Sequence, residues 1–203
     1  MHSNPSNPTS IGGVVLAAGA SMRMGAPKAL LNLRGRTALE HLVANLRHAG
    51  VDSVHVVVAE ENAVAAEARR LGASVVVNAA SARGRTSSLQ AGLRALPADR
   101  PALVAPVDCP LVRASTVRAL VARAGEAAVV RPRCAGRAGH PILLAPALRD
   151  AILELPPDAS LRDWLRGVTA RLDVDVDDEE ILANLDTPDD AESARERLAR
   201  RVP

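Results

Sequence analysis

The chain has 203 residues, of which 48% are apolar and 24% are charged, and its net charge is +2. This composition is typical of a globular protein and excludes a chain that is disordered as a whole. The near balance of charge gives no electrostatic reason to expect a nucleic-acid or membrane partner. Two cysteines are too few for a disulfide framework, and no apolar run is long enough to span a membrane. We therefore expect a cytoplasmic protein with a disordered tail at 1–10 and a single domain at 11–203.

Apolar runs and helical patterns alternate along the chain. The first run, at 11–18, is a continuous apolar stretch typical of a strand buried on both faces. Further strands are predicted at 54–59, 74–77, 102–107, 127–132, 141–145 and 170–176. Helices are predicted at 37–48, 62–71, 86–96, 114–123, 146–153, 160–166 and 188–200. This alternation predicts the α/β class, as a three-layer, Rossmann-like fold with a mostly parallel sheet and helices on both faces.

The most informative stretch is 14–28, where the first strand runs into a glycine-containing loop that ends at Lys28. Lys28 is the only lysine among 25 basic residues. A strand, a glycine loop and a cation together bind polyphosphates, because backbone N–H groups and one positive charge converge on the anion. The residues around Gly25 match neither a Walker A loop nor the G-x-G-x-x-G dinucleotide fingerprint. A structural turn with two solvated cations is the alternative.

The pattern L-A-A-G-x-S-x-R-M-G-x-P-K at 16–28 resembles the MobA/MocA-like nucleotidyltransferases, which include molybdenum cofactor cytidylyltransferases and have a GT-A-type fold. The resemblance implies a sheet of the nucleotide-diphospho-sugar transferase type. It also implies that Arg23 and Lys28 are catalytic residues that neutralise charge on the NTP phosphates. The same resemblance assigns the nucleotide to the backbone of four residues at the strand end: Leu16, Ala17, Ala18 and Gly19.

A second motif, Pro-Val-Asp-Cys-Pro, ends the strand predicted at 102–107. Because the carboxyl ends of parallel strands meet at one edge, Asp108 is expected to face the glycine loop. By the resemblance, Asp108 is catalytic and binds the Mg²⁺ that bridges the phosphates, and a carboxylate suits this ion. Asp186, within N-L-D-T-P, resembles a further metal-side element of the family, which usually has an aspartate in place of Asn184. A helix cap for the following segment is the alternative for each aspartate.

A third element, G-R-T-S-S-L-Q-A-G, matches the family's G-x-x-x-S-L-x-x-G at the start of a predicted helix. Hydroxyl and free N–H groups at a helix start can face a ligand, so Gly84 and Ser88 are assigned to the nucleotide. A plain helix cap is the alternative for Ser87. Asn78, at the end of the third predicted strand, is assigned to the base or the ribose.

The loop G-R-A-G-H-P resembles the family's G-R-R-G-H-P, with Ala138 in place of an arginine. By the resemblance, Arg137 and His140 bind the second substrate, a phosphorylated pterin-type acceptor. For His140, a structural, hydrogen-bonded role is expected, and a general base is the alternative. The segment 158–162 only partly matches the G-D-x-G-A-R element of the molybdopterin cytidylyltransferases, which weakens the assignment of that substrate. The acidic run at 173–180 is expected to be a solvated edge.

These motifs predict a Mg²⁺-dependent nucleotidyltransferase that transfers a nucleoside monophosphate from an NTP to molybdenum cofactor and releases pyrophosphate. By the resemblance, Leu-Ala-Ala-Gly and therefore Ala18 favour CTP, because family members with this sequence tend to use CTP and those with Leu-Ala-Gly-Gly tend to use GTP. Three alternatives stay open: a guanylyltransferase that uses GTP, a different phosphate acceptor, and a non-catalytic carrier that delivers the cofactor to a molybdoenzyme partner. Cys109 is expected to be a small buried thiol rather than a nucleophile.

Overall fold

The fold is given by a computed structural model, which describes residues 10–19 and 26–201. Its strands are β1 Gly12–Leu16, β2 Asn32–Leu33, β3 Arg36–Thr37, β4 Ser53–Val58, β5 Ser74–Val77, β6 Ala102–Pro106, β7 Val129–Cys134, β8 Arg137–Ala138, β9 Ile142–Leu144 and β10 Arg171–Asp175. Its α-helices are α1 Ala38–His48, α2 Ala63–Arg70, α3 Arg85–Ala95, α4 Ala114–Val121, α5 Arg149–Glu154, α6 Leu161–Gly167 and α7 Pro188–Arg200. Every strand and helix predicted from the sequence is present. No helix within the described residues is long and apolar enough to cross a membrane.

The main sheet has the strand order β10-β7-β9-β6-β1-β4-β5, with β8 paired to β7. Strand β1 pairs in parallel with β4 and β6, β4 pairs in parallel with β5, and β7 pairs in parallel with β10. Only β9, between β6 and β7, and the short β8 run antiparallel to their neighbours in the described sheet. The predicted fold class is therefore confirmed. The parallel strands bring the carboxyl ends of β1, β4, β5 and β6 to the same edge.

Helices cover both faces of this sheet. On one face, α1, α2 and α4 pack around a cluster that includes Val15 and Leu42. On the other face, α3 and α5 pack around Val14 and Leu89, and α6 adds partly buried residues. Val14 and Val15 enter different clusters because successive side chains of a strand point to opposite faces. The result is the predicted arrangement of three layers.

Helix α3 lies unusually close to β1 because Gly92 has no side chain. A Cβ atom built on Gly92 would lie only 2.4 Å from Cγ1 of Val14. Two residues earlier, the buried amide of Gln90 donates hydrogen bonds to the carbonyl oxygens of Ile152, at 2.9 Å, and Leu155, at 2.8 Å. The first turns of α3 are thus fixed between the central strand and the end of α5.

Strands β2 and β3 form a hairpin that the sequence analysis does not predict. Its turn residues, Arg34 and Gly35, have φ values of 58° and 88°. These left-handed conformations are typical of tight hairpin turns. The hairpin contributes to a third apolar cluster: Leu33, Ala38, Leu111, Leu185 and Ala194. This cluster joins the segment that follows Lys28 to the segment that precedes α7.

The acidic run at 173–180 is not solvated throughout, so that prediction is wrong for two of its residues. Asp178 and Glu180 are buried, with exposures of 1% and 4%. Asp178 accepts a hydrogen bond from the Thr116 hydroxyl at 2.7 Å, and Glu180 accepts one from Arg197 at 2.9 Å. Burial of a carboxylate is tolerated where such partners compensate the loss of hydration.

Candidate active site

The end of β1 is held between its two neighbouring strands. The N–H of Ala17 donates to the carbonyl oxygen of Val57 at 2.9 Å, and the N–H of Val107 donates to that of Leu16 at 3.1 Å. The residue after Val107 is Asp108, so this aspartate and the described start of the glycine loop, up to Gly19, follow the ends of neighbouring strands. Arg23 lies outside the described residues.

Lys28 and Asp186 form an ion pair although 158 positions separate them in sequence. Nζ of Lys28 donates to Oδ1 of Asp186 at 2.7 Å, and the two side chains are 16% and 39% exposed. Helix α7 is capped by Thr187 and Asp190, because the Thr187 hydroxyl accepts from the Asp190 N–H at 3.2 Å and the Asp190 carboxylate accepts from the Thr187 N–H at 2.7 Å. The side chain of Asp186 is therefore not the cap, and its carboxylate faces Lys28.

Asp108 adjoins both the segment of Asp186 and the start of α3. Its carbonyl oxygen accepts a hydrogen bond from the N–H of Leu185 at 2.8 Å. Its carboxylate oxygen Oδ2 lies 3.7 Å from a guanidinium nitrogen of Arg85. The next helix, α4, has Arg113 at its cap position and no side-chain cap, so Asp108 does not cap that helix. Two carboxylates, a lysine and an arginine thus meet beside the ends of β1 and β6.

The thiol of Cys109 holds the segment before Asp186 against the end of β6. Cys109 is buried, and its Sγ donates to Oδ1 of Asn184 at 3.0 Å. Burial and the neighbouring Asp108 carboxylate raise the pKa of this thiol, which keeps it protonated. The expected burial of this small thiol is observed. The amide oxygen of Asn184 is engaged by the thiol, so the aspartates are the better candidates for a metal.

The donor set at this edge fits a divalent metal that is bound together with a nucleotide. Asp108 and Asp186 provide two carboxylates that are connected through the backbone of Leu185. Within residues 10–19 and 26–201, no group of three or more His, Cys, Asp or Glu side chains is placed to hold a metal ion. Mg²⁺ is usually held by one or two carboxylates, with waters and substrate phosphates completing its coordination. Two carboxylates are sufficient for that arrangement.

Asn78 braces the start of α3. Its Nδ2 donates to the hydroxyl oxygens of Ser87, at 3.0 Å, and Ser88, at 3.1 Å, and its Oδ1 accepts from the N–H of Ala80 at 3.1 Å. Gly84, which precedes the helix, has a φ of +127°, a value that side chains disfavour. Asn78 and Ser88 are buried and engaged with each other, which supports a role in positioning α3 rather than a direct contact with the nucleotide.

The first turn of α3 is also tied to the segment between α5 and α6. The Thr86 hydroxyl donates to the carbonyl oxygen of Ala159 at 2.6 Å, and the N–H of Ser87 donates to that of Pro157 at 3.1 Å. This segment overlaps the partial cytidylyltransferase motif at 158–162. The structure therefore places that motif beside α3, on the same side of the sheet edge as Arg85.

His140 lies close to Arg85 and Asp108. Its backbone N–H donates to the carbonyl oxygen of Ile181 at 3.0 Å. Its ring nitrogen Nδ1 is buried and has no hydrogen-bond partner among the described residues. Burial lowers the pKa of the imidazole, the positive charge of Arg85 lowers it further, and Asp108 opposes both. The ring is thus neutral at neutral pH, and the ring hydrogen bond expected from the sequence is absent at Nδ1. Arg137 lies on β8 at an exposed position.

Arg85 is the one charged residue of this group that the sequence analysis does not single out. Arg85 directly follows Gly84 in the motif G-R-T-S-S-L-Q-A-G. The family pattern G-x-x-x-S-L-x-x-G specifies no residue type at this position, so the comparison of motifs does not select Arg85. The signal that points to Arg85 is its place at the first residue of a helix that starts at the carboxyl edge of a parallel sheet.

Residues 13–175 match the family model for the MobA-like NTP transferase domain. The chain belongs to this family. Members of it are nucleotidyltransferases, and the expectation of a MobA-like enzyme is confirmed.

Two relatives of this MobA-like chain have different names. It is 35% identical over 187 residues to the nicotine blue oxidoreductase of Paenarthrobacter nicotinovorans. The aligned region covers 86% of this chain and 91% of that protein. It is 36% identical over 129 residues to a protein of Opitutus terrae named probable molybdenum cofactor guanylyltransferase, and the aligned region covers 62% of each of the two proteins. The second name indicates GTP where the sequence analysis predicts CTP.

Solved structures share the fold of this MobA-like chain. A nucleotidyl transferase from Methanothermobacter thermautotroptrophicus has a TM-score of 0.83 at 27% identity, over 95% of this chain and 99% of that one. The Rv0371c protein of Mycobacterium tuberculosis, in its complex with manganese, has a TM-score of 0.72 at 26% identity, over 93% of this chain and 99% of that one. The manganese complex shows that a neighbour of this fold binds a divalent metal.

Gly139 fixes the position of His140 in this MobA-like chain. A Cβ atom built on Gly139 would lie only 2.2 Å from the carbonyl oxygen of Ile181, so the backbone of one segment would have to move. We expect Gly139→Ala to lower the free energy of unfolding by about 1–3 kcal/mol, the usual cost of overpacking. Urea denaturation measures this change. Gly167→Ala is the control, since nothing lies within 4 Å of its built Cβ atom; equal effects of the two substitutions would contradict the packing argument.

Proposed function

We propose that this MobA-like chain transfers a nucleoside monophosphate from an NTP to a phosphorylated acceptor, with residues 11–203 acting as a single nucleotidyltransferase domain. An oxygen of the acceptor phosphate attacks the α-phosphorus of the NTP and forms a new P–O bond. The bond from the α-phosphorus to its bridging oxygen breaks, and pyrophosphate leaves with the electron pair. This chemistry depends on positioning and charge neutralisation rather than on a nucleophilic side chain.

The observation that supports this proposal is the convergence of Lys28, Asp108 and Asp186 from three distant parts of the chain. Lys28 contacts Asp186 at 2.7 Å, and the backbone of Asp108 contacts Leu185 at 2.8 Å. Two carboxylates and a cation at the carboxyl edge of a parallel sheet are suited to a metal-bound triphosphate. A turn with merely solvated cations would not need this convergence.

The proposed roles follow from the positions of these groups. Lys28 and Arg23 neutralise the triphosphate, and the strand end at Leu16 and the exposed Gly19 bring backbone groups to the nucleotide, together with Ala17 and Ala18. Asp108 and Asp186 hold the metal, for which we propose Mg²⁺, and the neighbour with manganese supports a divalent ion. When bound, that ion stabilises negative charge on the transferring phosphoryl group.

The nucleotide that we propose is GTP, because the relative from Opitutus terrae is named a guanylyltransferase. This replaces CTP, which rested on Ala18. The proposed acceptor is the phosphate of molybdenum cofactor, with His140 at the acceptor side and Arg137 as a more distant candidate. The two cysteines are free and buried, which is compatible with the reducing cytoplasm that we propose as the location.

Pyrophosphate release tests this function. The protein is incubated separately with GTP, CTP, ATP and UTP, with Mg²⁺ or Mn²⁺, in the presence and absence of molybdenum cofactor. We expect release with GTP that requires both metal and acceptor. Release with CTP alone would restore the CTP prediction. No release with any NTP, together with tight binding of the cofactor, would support the non-catalytic carrier instead.

An oxidoreductase is the second candidate, and the similarity to nicotine blue oxidoreductase over 86% of the chain favours it. The absence of a G-x-G-x-x-G fingerprint in the sequence speaks against the common form of nicotinamide binding. Loss of the nicotine blue absorbance in the presence of NADH or NADPH tests this candidate. A protein that consumes nicotine blue and releases no pyrophosphate would replace the nucleotidyltransferase proposal.

A further inference from the structure

Arg85 places a positive charge in the site, and its guanidinium N–H groups remain able to bind a further partner. Its side chain is 60% exposed, and its guanidinium lies 3.7 Å from Oδ2 of Asp108, which is an ion pair but too long for a good hydrogen bond. Among the described residues, no hydrogen bond engages this guanidinium. A guanidinium has five N–H donors in a planar fork, so a second partner can be bound while Asp108 stays close.

The backbone that carries Arg85 is fixed, although the side chain is exposed. On both sides of Arg85, the chain contacts the segment that precedes α6: Gly84 packs against Pro157, and the Thr86 hydroxyl donates to Ala159 at 2.6 Å. The buried Gln90 fixes the following turn of the helix to the end of α5. The guanidinium is therefore presented from a rigid base, as a binding site for a small anion requires.

The surroundings of Arg85 distinguish an acceptor phosphate from the triphosphate. Lys28 is bound to Asp186, whereas Arg85 is paired with Asp108, so the two cations are held at different carboxylates. Arg85 is near His140, which the resemblance assigns to the acceptor, and its neighbours Gly84 and Thr86 contact Pro157 and Ala159. The side of the site that is assigned to the acceptor therefore adjoins Arg85.

The acceptor loop itself lacks a cation that the resemblance leads us to expect. Ala138 stands where the family pattern G-R-R-G-H-P has its second arginine, and the remaining Arg137 is exposed on β8. An arginine that reaches the same region from α3 can supply the missing positive charge. Its planar fork also matches two oxygens of one phosphate group.

We infer that Arg85 binds the phosphate monoester group of the acceptor and holds it beside Asp108 for attack on the NTP. This inference rests on the proposed function and adds to it a residue that binds the acceptor. The acceptor phosphate lies between the guanidinium of Arg85 and the imidazole of His140, whose Nδ1 has no hydrogen-bond partner among the described residues. The NTP phosphates stay with Lys28.

The first test compares the steady-state kinetics of Arg85→Gln with those of the wild type. Arg83→Gln is the matched control, since Arg83 is an exposed arginine two positions earlier. We expect Arg85→Gln to raise KM for the acceptor about tenfold or more and to leave KM for the NTP within about twofold, because one charge-assisted, two-pronged contact is lost. Arg85→Lys should give an intermediate KM, since the charge remains and the fork is lost. A rise in KM for the NTP alone, or equal values for Arg85→Gln and Arg83→Gln, would overturn the inference.

Inorganic phosphate tests Arg85 without turnover, so that failure of the proposed function can be distinguished. The probe is added to ¹⁵N-labelled protein, and the backbone resonance of His140 is followed. We expect a saturable shift in the wild type and in Arg83→Gln, and about tenfold weaker binding in Arg85→Gln. No saturable shift in the wild type, or an unchanged affinity in Arg85→Gln, would overturn the inference even if the enzyme is active.

Discussion

Lys28→Ala is expected to lower kcat/KM for the NTP by about 100-fold or more, the typical effect of removing one preorganised charge contact to a transferring group. Lys28 is 16% exposed and already lies at the site through its ion pair with Asp186. Its ammonium group is a compact charge on a flexible stem, which a planar guanidinium does not reproduce, so Lys28→Arg should restore only part of the activity. Steady-state pyrophosphate release at varied NTP concentration measures both variants.

Arg36→Ala is the control for Lys28. Arg36 is an exposed cation in the hairpin that follows Lys28, and it forms a 3.7 Å ion pair with Glu40. We expect kcat/KM for this variant to stay within about twofold of wild type, as exposed ion pairs contribute little. If Lys28→Ala behaved like Arg36→Ala, Lys28 would not contact the phosphates, and the loop would be a structural turn.

Asp108→Asn is expected to reduce turnover at saturating NTP by about 100-fold, and more Mg²⁺ should be needed for the remaining activity. The substitution keeps the shape of the side chain and removes the charge that a hard cation prefers. It also removes the charge partner of Arg85, which lies 3.7 Å away. Pyrophosphate release over a range of Mg²⁺ and Mn²⁺ concentrations measures the effect.

Asp99→Asn is the matched control for Asp108, because Asp99 precedes β6 and is exposed at the opposite end of the same strand. Thermal unfolding of both variants separates loss of activity from loss of structure. We expect Asp99→Asn to change neither turnover nor metal dependence. An Asp108→Asn enzyme with an unchanged metal requirement would remove Asp108 from the proposed metal site.

The sequence alone predicts most of the fold, because each central strand is a clear apolar run and each helix has its apolar stripe. The exceptions are short. Strands β2 and β3 have two residues each, too few for a period of two to be visible, and they form because the turn at Gly35 folds Leu33 into the third cluster. Strand β8 also has only two residues, so it is not visible in the sequence for the same reason.

The site is predicted in part. The proximity of the glycine loop and Asp108 follows from the rule for parallel strands, since both positions end strands. The pair of Lys28 and Asp186 does not follow, because no local pattern specifies a contact across 158 positions. The hydrogen bonds between Asn78, Ser87 and Ser88 do not follow from the sequence either, and the assignment of Asn78 and Ser88 to the nucleotide stays a prediction. The preference for CTP depended on Ala18 alone, and one methyl group is a weak basis for choosing a base.

The separation between Lys28 and Asp186 also bears on how the protein matures during translation. The glycine loop and Asp108 leave the ribosome early, whereas the second carboxylate follows only after β10 has been made. A nascent chain therefore lacks the second carboxylate of the proposed phosphate site until the segment before α7 can dock, and a nucleotide that binds this site would favour chains in which the segment has docked. Because a ligand that binds only the native state stabilises it by mass action, the cellular pool of NTP and metal would help to set the lifetime of this protein.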